Sequence, residues 1–292
     1  MRSEVDWSDP VSVGEFITAM ALEEDQALRD AATSSLGSSS HRESSCAVTA
    51  REELLVAGWF LLDQVFRSLA GSFGIRAPVC RQYVADGKQA ETGAVIGSVE
   101  GPAHILLRGE RVALNLLCRL SGIATLTREF VRAVRGTGVD VIDTRKTTPC
   151  LRALEKYAVR MGGGVNHRFD LAEMAMIKDN HLAFAGGVEG LGGIMERLRA
   201  VKVPVEIEVD SLRQLEKALA EKPGRILLDN MGTEQLREAV RLSAGSGVYL
   251  EASGGVTLDN IRSIAETGVN GISSGALTHS APSADIGFDW GR

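Results

Sequence analysis

Between residues 143 and 181 the chain reads DTRKTTP, then GGGVNHR, then IKDNH. This stretch gathers Arg145, Lys146, His167, Arg168, Lys178 and His181 among glycines and short polar residues. Such a concentration of cationic and protonatable groups, in a chain of formal net charge −6, calls for a ligand with more than one negative charge. No long basic face lies elsewhere in the sequence to follow a polymer backbone. A small molecule with several carboxylates or phosphates therefore fits better than nucleic acid. A lone exposed cation reads as half of a surface ion pair. Six together, each beside a glycine or a strand end, read as a site.

The elements that must hold these groups are legible after Gly138. Short apolar, β-branched runs recur at Val139–Ile142, Met174–Ile177, Val205–Val209, Ile226–Leu228, Val248–Leu250 and Gly271–Ile272, with helix-like stretches between them. Alternation of this kind predicts parallel strands with right-handed crossovers. Polar residues follow the strand ends: Asp143–Lys146, Lys178–His181, Glu208–Asp210, Asp229–Asn230, Glu251–Gly255 and Ser273–Gly275. That placement favours an active site on the C-terminal face of a βα barrel, here with about six strands, over an open sheet with one glycine-rich first turn. Glu208 and Asp229 end successive strands. They would lie side by side at the mouth, as oxygen ligands suited to Mg²⁺ or as partners of the rim cations, with Asp210 able to replace Glu208. Ser253, Gly254 and Gly255, with Ser274 and Gly275, close the last two strands, where barrel enzymes hold phosphates on backbone N–H groups.

The N-terminal part has another rhythm. Residues 13–29 show helical spacing, the Ser-rich run Thr33–Ser45 reads as a loop or mobile segment, and Phe60–Leu69 returns to helical spacing. Short β-like pieces follow at Val79–Val84, Ala94–Val99 and His104–Leu107, so this region reads as an α+β layer. Gly71, Gly74, Gly87, Gly93, Gly97 and Gly101 read as turn residues. From Glu110 to Val134, Val112, Leu116, Leu117, Leu120 and Ile123 mark one buried helix face. Arg111 and Asn115 sit four residues apart on that helix, either as a solvent-facing pair or reaching an anion.

Composition bounds the remaining possibilities. A chain of 292 residues can bury a barrel core and a smaller domain, and a sequence pI near 5.5 disfavours nucleic acid and anionic membranes as partners. The acidic N-terminus MRSEVDWSDP lacks the pattern of a signal peptide, and Leu54–Leu62 is too short to span a bilayer, which leads to the expectation of a cytoplasmic protein. Cys46, Cys80, Cys118 and Cys150 form no CxxC pair and read as free thiols.

The strings RGERVALNLLCRLSGIAT, DTRKTTP, LRALEKYAV, GGGVNHR, IKDNH, VEIEVD, LLDNM, EASGGV and SSGALTHS occur in one order from about Asp86 to Ser280. Together they resemble the quinolinate phosphoribosyltransferases. The resemblance implies an N-terminal α+β sandwich over residues 1–117, to which residues 279–292 return, and an incomplete α/β barrel over 118–278. It implies conversion of quinolinate and phosphoribosyl pyrophosphate, with Mg²⁺, to nicotinate mononucleotide, pyrophosphate and carbon dioxide. It further implies a homodimer, or a higher oligomer, in which Arg111 serves the partner's site. Arg145, His167, Arg168 and Lys178 would surround the quinolinate carboxylates, and Lys146 would face the pyrophosphate or the ribose. Glu208 and Asp229 would hold ribose hydroxyls and metal, and Ser253, Gly254, Gly255, Ser274 and Gly275 the 5′-phosphate. Lys146 and Lys178 are candidates for proton delivery.

Three positions depart from the family's pattern. Asp30–Thr33 reads DAAT in place of a GD-x-T string, Asn270 replaces a common acidic residue, and Cys150 follows TTP where glycine is usual, which matters if that position needs positive φ. Other readings of the same residues are a Schiff-base lyase or aldolase using Lys146 or Lys178, a silent phosphate-ligand-binding relative, and a paralogue acting on another acceptor.

Overall fold

The computed structural model describes residues 5–291. Strands β1 (Glu43–Ala50), β2 (Leu54–Leu55), β3 (Val79–Gln82), β4 (Gln89–Ala90) and β5 (Val95–Pro102) precede the helix Ala103–Ala133. Then come β6 (Asp140–Ile142), β7 (Ala175–Ile177), β8 (Val205–Val209), β9 (Arg225–Asp229), β10 (Tyr249–Ser253), β11 (Gly271–Ser273) and β12 (Ile286–Trp290). Two compact units divide the chain. One runs to Thr127 and adds Thr147–Gly163 and the segment from Ser280; the other comprises Arg128–Lys146 and Gly164–His279.

The first unit is built on an antiparallel sheet in the order β12-β1-β5-β3, with Val48 opposite Phe288 and Cys46 opposite Val99. Its core includes Val48, Leu62, Phe66, Ile96, Val99 and Leu106. The helix Pro10–Glu24 starts where Asp9 accepts from the Ser12 N–H at 2.8 Å, and proline occupies the first turn, where a missing N–H costs nothing. It ends before Gln26, whose φ is 51°, so the helical spacing read through residue 29 breaks into a helix and a 3₁₀ turn at Ala27–Arg29.

The Ser-rich run is ordered, contrary to the loop expected from its composition. Asp30 caps a short helix, Ala31–Ser35, by accepting from the Ala32 and Thr33 N–H groups; a 3₁₀ turn covers Gly37–His41, and β1 begins at Glu43. His104–Leu107, expected as a β-like piece, lies inside the helix Ala103–Ala133. Of the six glycines read as turn residues, Gly74, Gly87 and Gly93 have positive φ, whereas Gly71 is helical and Gly97 and Gly101 lie in β5. Gly97 is there because a Cβ would strike the Trp59 ring at 2.0 Å. Val112, Leu117, Leu120 and Ile123 are buried on the long helix, and Arg111 and Asn115 are exposed.

The same unit contains the anchor of the TTP segment. Glu155 is fully buried and accepts from the Thr148 N–H at 3.0 Å, the Thr148 hydroxyl at 2.8 Å and Arg119 at 2.8 Å. A buried carboxylate is tolerable only when paired in this way.

In the second unit all six strands are parallel, in the order β6-β11-β10-β9-β8-β7. Successive strands from β7 to β11 are neighbours, and the last returns to the first, which is the topology of an α/β barrel left open between β6 and β7. A parallel bridge, Ile142 to Val165, extends β6 on its free side. All six runs read as strands from the sequence are strands. The Ile226–Leu228 centre of β9 is buried throughout, as expected for a strand with no solvent-facing side.

Candidate active site

At the C-terminal ends of these strands lies a cavity of about 360 Å³, lined by Thr144, Arg145, Lys146, His167, Arg168, Met176, Lys178, Glu208, Leu227, Asp229, Glu251, Ser253 and Ser273. Each polar group arrives by the local logic of its strand. β8 places Glu206 and Glu208 on one face, β9 places Leu227 and Asp229 on one face, and β10 does the same with Glu251 and Ser253, because side chains repeat every second residue. Asp229 lies opposite Ser253 in the parallel register, so the carboxylate and the hydroxyl reach the mouth at one level.

The cationic loop is held by a residue whose role the sequence did not disclose. Asp143 is fully buried at the end of β6; it accepts from the His167 N–H at 2.8 Å and from the Asn166 side chain at 2.6 Å. The DTRK and NHR segments are thereby tied together, which sets Arg145 and Arg168 against the same space. Arg168 is largely buried and donates to the Met174 carbonyl at 2.9 Å. Burial, and after it the neighbouring Arg145 charge, draw its pKa below the usual guanidinium range. Two like charges in a partly desolvated pocket are costly until an anion arrives between them.

Lys178 forms an ion pair with Glu208. Asp229 accepts from the Asn230 side chain at 2.8 Å. Glu208 and Asp229 therefore offer hard oxygen donors on adjacent strands, the donor type that Mg²⁺ takes. On the glycine side, Gly254 and Gly255 have φ of 95° and 59°, and a Cβ on Gly254 would lie 2.1 Å from the Asn230 side chain. At Gly254 the close approach of Asn230 leaves room for glycine alone.

Of the residues singled out in the sequence, Arg145, Lys146, His167, Arg168, Lys178, Glu208, Asp229 and Ser253 line the cavity. Gly254 and Ser274 adjoin the lining residues Ser253 and Ser273 in the chain, Gly255 and Gly275 follow one residue later, and none of the four bounds the cavity. Asp210 and His181 do not bound it: Asp210 is exposed, and the His181 ring accepts from the Lys178 N–H at 3.0 Å. Arg111 belongs to the other unit. Asp143, Glu206, Glu251 and Arg225 escaped notice as individuals. Two of them had a signal: VEIEVD and YLEAS each set a glutamate inside an otherwise apolar parallel strand, a place carboxylates avoid unless they are partnered.

Two family models match, described as the N-terminal domain of quinolinate phosphoribosyl transferase over residues 30–121 and its C-terminal domain over residues 123–289. The chain is 46% identical to a nicotinate-nucleotide pyrophosphorylase (carboxylating) of Mycobacterium leprae over 82% of its own length and 84% of the relative. It is 40% identical to a mitochondrial quinolinate phosphoribosyltransferase (decarboxylating) of Nicotiana glauca over 84% of its length and 72% of that chain. Among solved structures it is similar to the nicotinate-nucleotide pyrophosphorylase of Ehrlichia chaffeensis, with a TM-score of 0.86 and 37% identity over 94% of this chain and 97% of that one. In sequence along most of its length, and in fold, the chain belongs to the quinolinate phosphoribosyltransferase family.

Proposed function

We propose that this protein transfers phosphoribose from phosphoribosyl pyrophosphate to the ring nitrogen of quinolinate, giving nicotinate mononucleotide, pyrophosphate and carbon dioxide. One observation carries the reading: Arg145, Lys146, Arg168 and Lys178 converge with Glu208 and Asp229 on one cavity at the strand ends of the barrel. Quinolinate presents two adjacent carboxylates, and the Arg145 and Arg168 guanidiniums, with Lys178, are the charges that answer them. Lys146 is placed to neutralise the departing pyrophosphate. Glu208 and Asp229 take the ribose hydroxyls, and the Ser253–Gly255 turn, with Ser274 and Gly275, takes the 5′-phosphate.

The pyridine nitrogen bonds to C1′ as the bond from C1′ to pyrophosphate oxygen breaks, its electron pair leaving with pyrophosphate. The ribosyl centre becomes oxocarbenium-like, so fixed charges and alignment supply the acceleration. The ring nitrogen is then cationic. When the bond from C2 to the carboxylate breaks, the electron pair left on C2 lies beside that charge, and a proton delivered to C2 completes the product. Lys146 and Lys178 are the candidates for carrying that proton. Glu208 and Asp229 are the residues that would hold Mg²⁺, whose chemistry is to neutralise pyrophosphate oxygens.

A homodimer belongs to the same proposal, with the partner subunit's Arg111 completing the carboxylate site; its exposure on the long helix supports this. Full turnover by a species that sediments as a monomer would end that part. A cytoplasmic location is proposed as well. No helix among the described residues is long and apolar enough to cross a membrane, and fractionation of the source cells tests the location. The deciding experiment for the activity is release of carbon dioxide from carboxyl-labelled quinolinate. It is expected only when phosphoribosyl pyrophosphate and Mg²⁺ are both present, and release without phosphoribosyl pyrophosphate would reject the mechanism.

A further inference from the structure

Glu206, Glu251 and Arg225 are charged groups to which the reaction assigns no role, and Glu251 lines the cavity. Glu206 and Glu251 are both 0% exposed. His167 brings Nε2 within 2.9 Å of Glu206 Oε2 and 3.6 Å of Glu251 Oε2. Arg225 closes the far side, its Nε 3.9 Å from Glu206 Oε1 and 3.5 Å from Glu251 Oε2, and its guanidinium lies 4.2 Å from the centre of the Tyr249 ring. An imidazole with two carboxylates is also a set that can ligate a cation. Arg225 places one positive charge beside the two carboxylates.

The other edge of the imidazole determines its tautomer. His167 Nδ1 accepts from the Arg168 N–H at 2.7 Å, so the ring hydrogen belongs on Nε2, facing the carboxylates. The opposite tautomer would set a bare Nε2 lone pair against the Glu206 carboxylate 2.9 Å away and an Nδ1–H against the Arg168 N–H. Both contacts repel. Arg168 is then fastened twice, by its peptide N–H to His167 and by its guanidinium to the Met174 carbonyl at 2.9 Å.

We propose that Glu206 and Glu251 are positioning residues for the acceptor: they lock His167 in its Nε2–H form, and His167 in turn fixes Arg168, so that the guanidinium meets a carboxylate without first being ordered. The saving is in binding, because a pre-aimed fork loses little freedom when it closes on its ligand. The kinetic consequence rests on the transferase reading above; the state of His167 does not.

The test uses the full chain labelled with ¹⁵N-histidine. Its five imidazoles are resolved in a long-range ¹H–¹⁵N spectrum, and the signals of His167 are identified by their loss in His167→Gln. His167 is expected as the Nε2–H tautomer; an Nδ1–H form in the wild type would overturn the proposal. In Glu206→Gln and Glu251→Gln, KM for quinolinate is expected to rise about tenfold, while KM for phosphoribosyl pyrophosphate stays within about twofold and kcat falls less than KM rises. An unchanged quinolinate KM in both variants would equally overturn it. Should either variant fail to fold, the wild-type spectrum still decides. A wild type that never turns over quinolinate would end the transferase reading, and the tautomer would be read from the same spectrum.

Discussion

Arg145 and Arg168 are worth most to the protein when something negative lies between them. Removing one guanidinium deletes charge-assisted hydrogen bonds of roughly 1.5–3 kcal/mol. Arg145→Ala is therefore expected to raise KM for quinolinate by about 10- to 100-fold, with KM for phosphoribosyl pyrophosphate little changed, in steady-state assays. Cys150 gives a second prediction of the opposite kind. It has φ of 65° and is exposed. Holding a side-chain-bearing residue there costs about 1–2 kcal/mol, whereas glycine's extra unfolded-state entropy costs about 0.5–1 kcal/mol. Strain outweighs entropy, so Cys150→Gly should stabilise the chain by about 0.5–1 kcal/mol in urea unfolding. The departure read at this position thus has a conformational meaning: the backbone has kept a shape that suits the glycine usual in the family. Asn270, the other departure near the barrel, is accommodated without strain, its side chain accepting from the Leu250 N–H at 2.8 Å.

Among the elements, the long helix Ala103–Ala133 is held to the returning C-terminal segment through backbone. The Ala284 N–H bonds the Cys118 carbonyl at 2.9 Å, Arg119 donates to the Ala281 carbonyl at 2.9 Å, and a Cβ on Gly122 would stand 1.9 Å from the Pro282 oxygen. No rotamer relieves a clash with backbone, so Gly122→Ala should lower stability by roughly 2–3 kcal/mol in urea unfolding. Nothing in the sequence near Gly122 announces this, because the obstacle comes from residues far along the chain. The six barrel strands were legible for the opposite reason: runs such as ILL and VEIEV, buried on both sides, announce themselves by composition alone. His104–Leu107 was misread because four apolar residues fit a strand and a buried helix equally, and packing against the rest of the long helix made the choice. The Ser-rich run misled because serine composition suggests a loop, while here Ser34, Ser35 and Ser40 return hydrogen bonds to carbonyls three or four residues back and so stabilise short turns. In the site, charge and strand position disclosed Arg145, Lys146, Lys178, Glu208 and Asp229. The supports, Asp143, Glu206 and Glu251, acquire their roles only from partners brought together by folding.

For the molecule as a whole, burial of Glu251 ties stability to pH. Burial, and then the adjacent Glu206, push its pKa up to about 7, against opposing pulls from His167, Ser273 and Arg225. A carboxyl with a folded-state pKa above its unfolded value contributes stability that is complete below about pH 4.5 and is lost as pH rises through about 7. The melting temperature of Glu251→Gln minus that of the wild type should therefore increase from pH 5 to pH 8; a constant difference would contradict the shift. The strand orders have a consequence of another kind, in the making of the protein. Among the described residues β6 finds its only laddered strand neighbour in β11, and β1 pairs with β12 on the side away from β5. A ribosome delivers these partners last. While the chain is being synthesised, β1 and β6 each wait with an open edge, and the loop bearing Arg145 and Lys146 stays apart from Ser273 until the sixth barrel strand has emerged. The nascent protein thus passes through a long interval in which both sheets can recruit foreign strands and the anion site cannot yet assemble.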